Sequence, residues 1–484
     1  MSLFNDSDVD DLKKNINEYT NSIIEYKFKN VAPTFGFMDR AFKIVLDFIS
    51  KKKRIIYGGY AQNQLVIKKS PKDAFYDDEH KLPDIDFYSL DPIHDLYDIC
   101  DALAASGLTN VQAMEAQHKE TYKIFVEFTD VCDISYVPTI VFNNIPTITI
   151  NNIRYVTAHF AMIDLYKMLT EPLFSSFRWE KTFPRIVLLQ KLYPFSTNDA
   201  NLEEDIYPIP ENEKSIFRDA TKIIETNVIN NESIIVVGAN SYNYFLDKVE
   251  IPGKSFVVNH FYEIITTNYK EFAVKVKNDL VEKFGKERVT FVESYPLWAL
   301  LGFSVEFFVD GIKVCYVIDG YNKCIPRHLV NFMDFTKADT KAKVNANAKK
   351  ESPDTPKISI GSFDYVFLHS LMFEFKYKIL ANTKERYFYT RTISRLILLK
   401  KMYLKQEGVS SLDIHLFGSF ITKCVGFAID PARETRLMRN KKAALGQLVI
   451  FKYSPGKPKK ELEYVFLNSS GNPIKNTKNN RLFR

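Results

Sequence analysis

The sequence predicts an α+β chain of two tandem mixed-sheet units, each followed by helices, with the second unit a degenerate copy of the first. Three observations predict it. In RIIYGGYAQNQL, Arg54 to Leu65, an apolar run meets a glycine pair and resumes with helix-forming residues, the order strand, tight turn, helix. Short apolar segments carrying isolated acids follow, PDIDFYS at Pro83 to Ser89 and VEFTDVCDISYVP at Val126 to Pro138. The same elements then recur in the same order after residue 214.

Composition bounds the class. A chain of 484 residues has room for two to four domains of about 100–200 residues each. Its 46% hydrophobic and 26% charged residues belong to ordinary globular proteins and exclude a disordered chain. Most of the 39 Phe and 27 Tyr are expected in cores. The five cysteines are odd in number and scattered, so neither a disulfide framework nor a zinc site is expected, and a reducing compartment fits. The start has no basic-then-apolar signal and no apolar run nears the ~18 residues of a membrane span, so a soluble intracellular protein with no membrane partner is expected. Lys401 to Arg484 holds sixteen Lys or Arg against six Asp or Glu, an excess of ten within a chain of net charge +6. That asymmetry suits a polyanion or a solubilising tail.

Residues 7–51 read as helices, with Leu12, Ile16, Tyr19, Ile23 and Ile24 on one stripe and Phe42, Ile44, Val45 and Phe48 on the next, both expected to pack on a sheet. The glycine pair Gly58-Gly59 lets backbone N–H groups approach a polyphosphate, with the positive end of the following helix behind them. Lys68 to Lys81 is polar, contains Pro71 and is expected as an exposed loop beside the site.

In the extended segment after it, alternate side chains share a face, so Asp84 and Asp86 project together while Ile85 and Phe87 enter a core. Two like charges held close call for a cation between them. A helix from Pro92 buries Ile93, Leu96, Cys100 and Leu103, and Tyr122, Ile124, Val126 and Phe128 alternate as a strand. Thr129-Asp130 separates that strand from the next, where Asp133 repeats the apolar-acid-apolar pattern. Three such acids suit two magnesium ions about 3.5 to 4 Å apart, the arrangement of in-line phosphoryl or nucleotidyl transfer. ITINNIRY, Ile148 to Tyr155, is a hairpin turning at Asn151-Asn152.

Two helical runs follow, from Val156 and from Ser175. Lys181 and Arg185 share a helical face and, with Lys167, are candidates for triphosphate contact; solvated bases are the plain alternative. Ser196 to Lys214 reads as a linker. In the second half, SIIVVGANSYNYFL matches the glycine unit, with Gly238 for Gly58 and Ala239 for Gly59. FVVNHFYE, Phe256 to Glu263, matches the strand of the paired acids, VEFFVDGIKVCYVI the strands of the third, and RLILLKKMY the run RIVLLQKLY. Asp84 then aligns with Val258, Asp86 with His260 and Asp133 with Tyr316, so the copy keeps apolar positions and loses the acids. Arg395 persists opposite Arg185 where no metal site does, which favours a role for that base in the fold. Residues 336–357 read as an insertion, with RNA contact or a solvated loop as its readings. The basic segments at Arg433 to Lys442 and Ser454 to Glu463 suit phosphate backbones.

KKKRIIYGGY, LPDIDFYSLDP, and DVCDISYVP followed by FNNIPTITINN resemble the poly(A) polymerase catalytic subunits of large DNA viruses of the poxvirus, asfarvirus and giant-virus groups. Those belong to the DNA polymerase beta-like nucleotidyltransferase superfamily. The resemblance implies two tandem nucleotidyltransferase-like units that add AMP from ATP to a single-stranded RNA 3′ end, releasing pyrophosphate, in viral mRNA maturation. By that analogy Asp84 and Asp86 bind two Mg2+ ions, for which Mn2+ can substitute, and Asp133 holds the ion that activates the 3′ hydroxyl. Gly58, Gly59 and Tyr60 line the triphosphate; many superfamily members carry Ser after or within the glycine pair, whereas Tyr60 follows here.

Expected segments are N-terminal helices packed on the first unit at 1–52, the catalytic domain at 53–155, helices completing the site at 156–195, the degenerate unit at 215–403 and a basic region at 404–484. Relatives act as homodimers or with a separate processivity subunit, and both remain open. The implied location is the host cytoplasm at the viral factory, with packaging in the virion as an extension. The competing readings are a CCA-adding or oligoadenylate-synthesising enzyme and a non-catalytic RNA-binding scaffold.

Overall fold

Two mixed sheets are built on one plan. The computed structural model describes residues 5–30, 35–76, 84–118, 120–197, 200–204, 207, 210–257, 260–320, 323–337, 355–426, 431–446 and 450–459. Those of Met1–Ala161 and Pro431–Phe466 form one unit, and those of Met162–Asp430 a second.

The first sheet contains β1 (Ile55–Tyr57), β2 (Ile85–Ser89), β3 (Gln112–Glu115), β4 (Thr121–Val126), β5 (Thr129–Tyr136), β6 (Thr147–Ile150) and β7 (Ile153–Val156), in the order β3-β4-β5-β2-β1-β7-β6. The short strand Lys452–Tyr453 adds to β3, so part of the basic C-terminal region returns to this unit. Tyr453 is buried there and its hydroxyl donates to Asp101 at 2.6 Å. Along β4, Tyr122, Ile124 and Val126 are buried, as strand alternation requires. The expected continuation to Phe128 does not hold. Glu127 and Phe128 take positive φ and form the turn itself, leaving Phe128 exposed, while Thr129 and Asp130 open β5. The hairpin at Asn151-Asn152 turns as expected, with φ of 48° and 62°, the left-handed pair that Asn tolerates.

Helix Pro92–Ala105 begins with Pro at its first position, and the Asp91 side chain accepts the His94 N–H. It buries Ile93, Leu96, Cys100 and Leu103 against the sheet, each worth about 1.5–3 kcal/mol for the larger side chains. Asp95 on the same helix receives both arms of the Arg54 guanidinium, at 2.6 and 2.8 Å, fixing where β1 begins. Helix Phe35–Lys52 packs in, with Ala41, Val45 and Ile49 fully buried. Helix Asp6–Asn30 does not bury its stripe: Val9, Leu12, Ile16, Tyr19, Ile23 and Tyr26 are 43–68% exposed.

The second sheet repeats the first: β8 (Ile234–Val237), β9 (Tyr262–Thr266), β10 (Val289–Ser294), β11 (Ser304–Val309), β12 (Ile312–Asp319), β13 (Ile325–Asn331) and β14 (Lys357–Gly361), in the order β10-β11-β12-β9-β8-β14-β13. Even irregularities recur. The β4–β5 register slips between Ile124 and Phe125, and β11–β12 slips between Phe307 and Phe308. Tyr57 and Val237, each before the glycine, have φ/ψ of −130/−164° and −132/−164°. The insertion falls between β13 and β14, the counterparts of β6 and β7; its residues 338–354 lie outside the described ones.

Two expectations change here. Val237 pairs with Glu263 as Tyr57 pairs with Asp86, and Tyr316 pairs with Glu263 as Asp133 pairs with Asp86. The counterpart of Asp86 is therefore Glu263 rather than His260, and two residues back Phe261, not Val258, answers Asp84; Tyr316 for Asp133 stands. The apolar run from Phe256 misled because the strand begins only at Tyr262. Cysteine spacing also misled: Cys324 and Cys424, separated by 100 residues, form a disulfide with Cα atoms 5.2 Å apart, because β13 pairs with the short strand Cys424–Val425. Cys100, Cys132 and Cys315 are free and buried. Among the described residues no helix is long and apolar enough to cross a membrane.

Candidate active site

The centre of the first sheet gathers the acids. Asp86 on β2 lies directly across from Asp133 on β5 in a parallel pair, where adjacent strands run about 4.8 Å apart. Asp84 precedes β2 by one residue and its charge reaches Asp133. All three acids also act on the buried Cys132 thiol, which burial chiefly pushes far above its ordinary value. Burial likewise raises the Asp133 carboxyl; Lys123 opposes this, Asp84 and Asp130 add to it, and the net direction is up.

Lys123 stands opposite Asp133 on β4 and donates to it at 2.9 Å, with Asp130 at 3.4 Å. Burial would lower that ammonium, but the two carboxylates outweigh it and hold it up. A cation is thus already engaged in the cluster, which is what a surplus of negative charge demands.

Gly58 follows β1 with φ +68°, and any Cβ there would collide with the Asp86 carboxylate. The glycine is required twice over, by conformation and by the acid's approach. It starts helix Gly58–Lys69, whose N-cap Tyr57 supplies no side-chain cap. Gly59 needs no such freedom, since Ala239 serves at its place in the second unit. The Tyr60 ring is buried edge-on against Phe42 at 5.3 Å, within the core.

The all-oxygen donor set of Asp84, Asp86 and Asp133 suits hard divalent ions such as magnesium. The raised Asp133 carboxyl and the space kept by Gly58 fit the same group. Among the described residues no three His, Cys, Asp or Glu side chains are already gathered into a coordination sphere.

Residues 43–175 match the family model described as poly(A) polymerase catalytic subunit, and residues 204–484 match the C-terminal model of a putative poly(A) polymerase catalytic subunit. A putative poly(A) polymerase catalytic subunit of Acanthamoeba polyphaga mimivirus is 33% identical over 463 residues, covering 91% of this chain and 76% of that protein. The chain belongs to the poly(A) polymerase catalytic subunit family. The corresponding protein of African swine fever virus (strain Badajoz 1971 Vero-adapted) is 31% identical over 165 residues, 32% of this chain and 34% of its own. The crystal structure of the Megavirus polyadenylate synthase aligns with a TM-score of 0.82 at 30% identity, over 99% of this chain and 94% of that one. The protein is a viral enzyme of polyadenylation, and its two-sheet α+β architecture is that of the synthase.

Sequence reasoning missed the neighbours that shape this poly(A) polymerase site. Lys123 was legible as the one charged residue on the polar side of TYKIFV, a strand before the third acid. Tyr57 was hidden in an apolar run; its ring stacks on Tyr88 with centroids 3.9 Å apart, and its hydroxyl meets Ser135 Oγ at 2.9 Å. Asn63, fully buried, accepts the Phe75 and Tyr76 N–H groups at 2.9 and 3.2 Å, anchoring the chain ahead of Asp84. Asn243 repeats it, holding both backbone groups of Val257. Residues 77–81 of the loop expected beside the site lie outside the described ones.

In the second unit the same face is closed. Glu263 is wholly buried and receives His369 Nε2 and the Tyr389 hydroxyl, both at 2.6 Å. Tyr316 fills the place of Asp133, with Lys376 Nζ donating to its hydroxyl at 2.7 Å. One acid therefore survives in the copy, with its Oε2 held by two core side chains and its Oε1 buried without a hydrogen-bond partner. The Lys123–Asp130 pair is even reversed in sign, as Glu306–Lys313 at 3.2 Å.

Lys167, Lys181 and Arg185 belong to the second unit. Lys167 donates to the Ala299 carbonyl at 2.8 Å, a structural role. Lys181 and Arg185 lie one turn apart on helix Trp179–Leu192, Lys181 exposed and Arg185 half-buried. Arg395 is fully buried, donates to the carbonyls of Asn201 and Glu204, and so serves the fold.

Proposed function

We propose that the chain transfers AMP from ATP to the 3′ end of single-stranded RNA, with pyrophosphate leaving, at the face formed by Asp84, Asp86 and Asp133. The observation that carries this reading is the parallel register that sets Asp86 against Asp133 beside Gly58. Asp84 and Asp86 would hold two Mg2+ ions, Mn2+ being an acceptable substitute, and Asp133 one of them. When bound, such ions lower the pKa of the 3′ hydroxyl and neutralise the leaving group.

The chain's own part is positioning. The uncapped start of helix Gly58–Lys69 turns N–H groups toward the polyphosphate, Gly58 lets it approach Asp86, and Lys123 keeps Asp133 aimed across the sheet. Were Asp133 to hold a metal, Asp130, 3.4 Å from Lys123 Nζ, would remain to pair with that ammonium. We place the reaction in the host cytoplasm at the viral factory, with carriage in the virion as an extension. We set the domain limits at 53–155 and 215–403, and a second copy of the chain, joined through helix Asp6–Asn30, is the favoured partner over a separate processivity subunit.

The test is incubation with an RNA primer and each nucleoside triphosphate in turn. ATP alone should give long tails, EDTA should stop them, and Asp84→Ala with Asp86→Ala should lower the rate by at least about a thousandfold. Tailing retained by that double variant would overturn the site. Equal use of CTP would instead point to a CCA-adding enzyme.

A further inference from the structure

The face of the first sheet that carries the acids holds two adjacent rows of side chains. One row runs Tyr57, Asp86, Asp133 and Lys123, each across from the next on β1, β2, β5 and β4. The neighbouring row, two residues along every strand and so on the same face, runs Ile55, Tyr88, Ser135 and Thr121. Tyr57 joins the two. It starts in the row of the acids, its ring stacks on Tyr88, and its hydroxyl is hydrogen-bonded to Ser135 Oγ at 2.9 Å. Ser135 Oγ is bonded in turn to Thr121 Oγ1 at 3.0 Å. A line of three hydroxyls thus ties the end of β1, where Gly58 begins its helix, to β5 and β4.

The second unit shows whether such a sheet needs that line. Register matches Tyr57 with Val237, Tyr88 with Ile265, Ser135 with Ile318 and Thr121 with Ser304. Three of the four positions are aliphatic there, yet the strands pair in the same order and the register slip recurs. Ser304 keeps a hydroxyl but accepts from Tyr316, the residue in the place of Asp133. Solvent does not account for the difference, since Tyr88 is as buried in the first unit as Ile265 is in the second. The link between Tyr57 and Ser135 is therefore dispensable to the fold, and it accompanies the three acids.

What the line adds is a brace beside Asp133. Ser135 lies two residues along β5 from that acid, and Thr121 two residues along β4 from Lys123, which already holds the Asp133 carboxylate at 2.9 Å. Asp133 is gripped at its oxygens by one row and at its strand by the other. Displacement of a reacting group by about 1 Å can cost a hundredfold in rate, so such a brace bears directly on catalysis.

We propose that Tyr57 is a positioning residue of the tailing reaction, its hydroxyl holding β5 through Ser135 so that Asp133 stays in place against Asp86 and the start of helix Gly58–Lys69. The inference rests on the assignment of Asp84, Asp86 and Asp133 as the site.

The test uses two mild variants of the full chain. Tyr57→Phe keeps a ring on Tyr88 and removes only the hydroxyl, and Ser135→Ala removes the other end of the bond. Each should lower kcat for tailing by about tenfold while KM for ATP stays within about twofold. Because the two hydroxyls make one bond, the double variant should be no slower than the slower single one. Ser135→Thr, which returns a hydroxyl, should recover most of the rate. Mn2+ titrated into the chain without RNA or ATP, and followed by electron paramagnetic resonance, should bind several-fold more weakly in both single variants. Their melting temperatures should stay within about 4 °C of the wild type. Lowered melting temperatures with kcat and Mn2+ affinity unchanged would make the line a structural tie and overturn the proposal, as would fully additive losses in the double variant. Asp133→Ala separates this failure from that of the site: normal tailing there would remove the site itself, whereas its loss beside wild-type rates in Tyr57→Phe would remove only the role of Tyr57.

Discussion

Asp86 and Glu263 occupy one register position, across from the residue that precedes a left-handed glycine, yet their surroundings give them opposite work. Asp86 is half-buried beside Asp133 and Asp84, where negative charge accumulates and calls for a cation. Glu263 is sealed against His369 and Tyr389. Burial alone would raise its carboxyl, but His369, then His260 and Tyr389, outweigh that and hold it below its ordinary 4.5. A carboxyl depressed by folding stabilises the native state above its unfolded value, and that stability is lost as pH falls through the folded value. Glu263→Gln is therefore expected to cost about 3 kcal/mol at pH 7, the scale of a broken buried pair, and progressively less below pH 4.5. Urea titrations of both proteins at pH 7 and pH 4 check this. The same loss at both would mean that packing, not charge, is what Glu263 supplies.

The strand-glycine-helix element occurs twice with one geometry, so a single substitution made in each copy separates chemistry from folding. Gly58 and Gly238 have φ of +68° and +65°, and a methyl group on either would strike the acid opposite. Each Ala variant is expected to lose about 1–2 kcal/mol from the left-handed backbone alone. Gly58→Ala also displaces Asp86, so tailing should fall at least about a hundredfold, whereas Gly238→Ala should tail normally well below its melting temperature. Comparable activity in the two would detach Asp86 from the reaction.

This element was also the most legible part of the sequence, because a glycine pair between an apolar run and a helical run has few other readings. The Asn151-Asn152 hairpin and the buried face of helix Pro92–Ala105 were readable for the same reason, a local pattern with a local cause. What escaped was set by distant partners. The three-residue error at β9 arose because an apolar run from Phe256 suggests a strand that in fact starts at Tyr262. Lys123 acquires meaning only from the residue across the sheet. The Cys324–Cys424 pairing depends on an edge strand 100 residues away.

At the scale of the whole molecule, helix Asp6–Asn30 carries an exposed apolar stripe among the described residues, and its spacing says what should cover it. On helix Asp6–Asn30 the exposed residues fall at steps of three and four, Val9, Leu12, Ile16, Tyr19, Ile23 and Tyr26. That is the 3.5-residue period of a coiled-coil seam rather than the broader stripe of a helix lying on a sheet. β-Branched Val9, Ile16 and Ile23 occupy one seam position, and Leu12, Tyr19 and Tyr26 the other. Such a division favours two parallel strands, and it would bring Asp8 of one copy near Lys13 of the other. Light scattering behind a sizing column should give the mass of two chains for the wild type at micromolar concentration. Ile16→Asp with Ile23→Asp should give one chain, since each places a charge in the seam, while the far-ultraviolet spectrum of the two sheets is kept. Two chains in that variant would move the interface elsewhere, and one chain in the wild type would leave the stripe to a different protein.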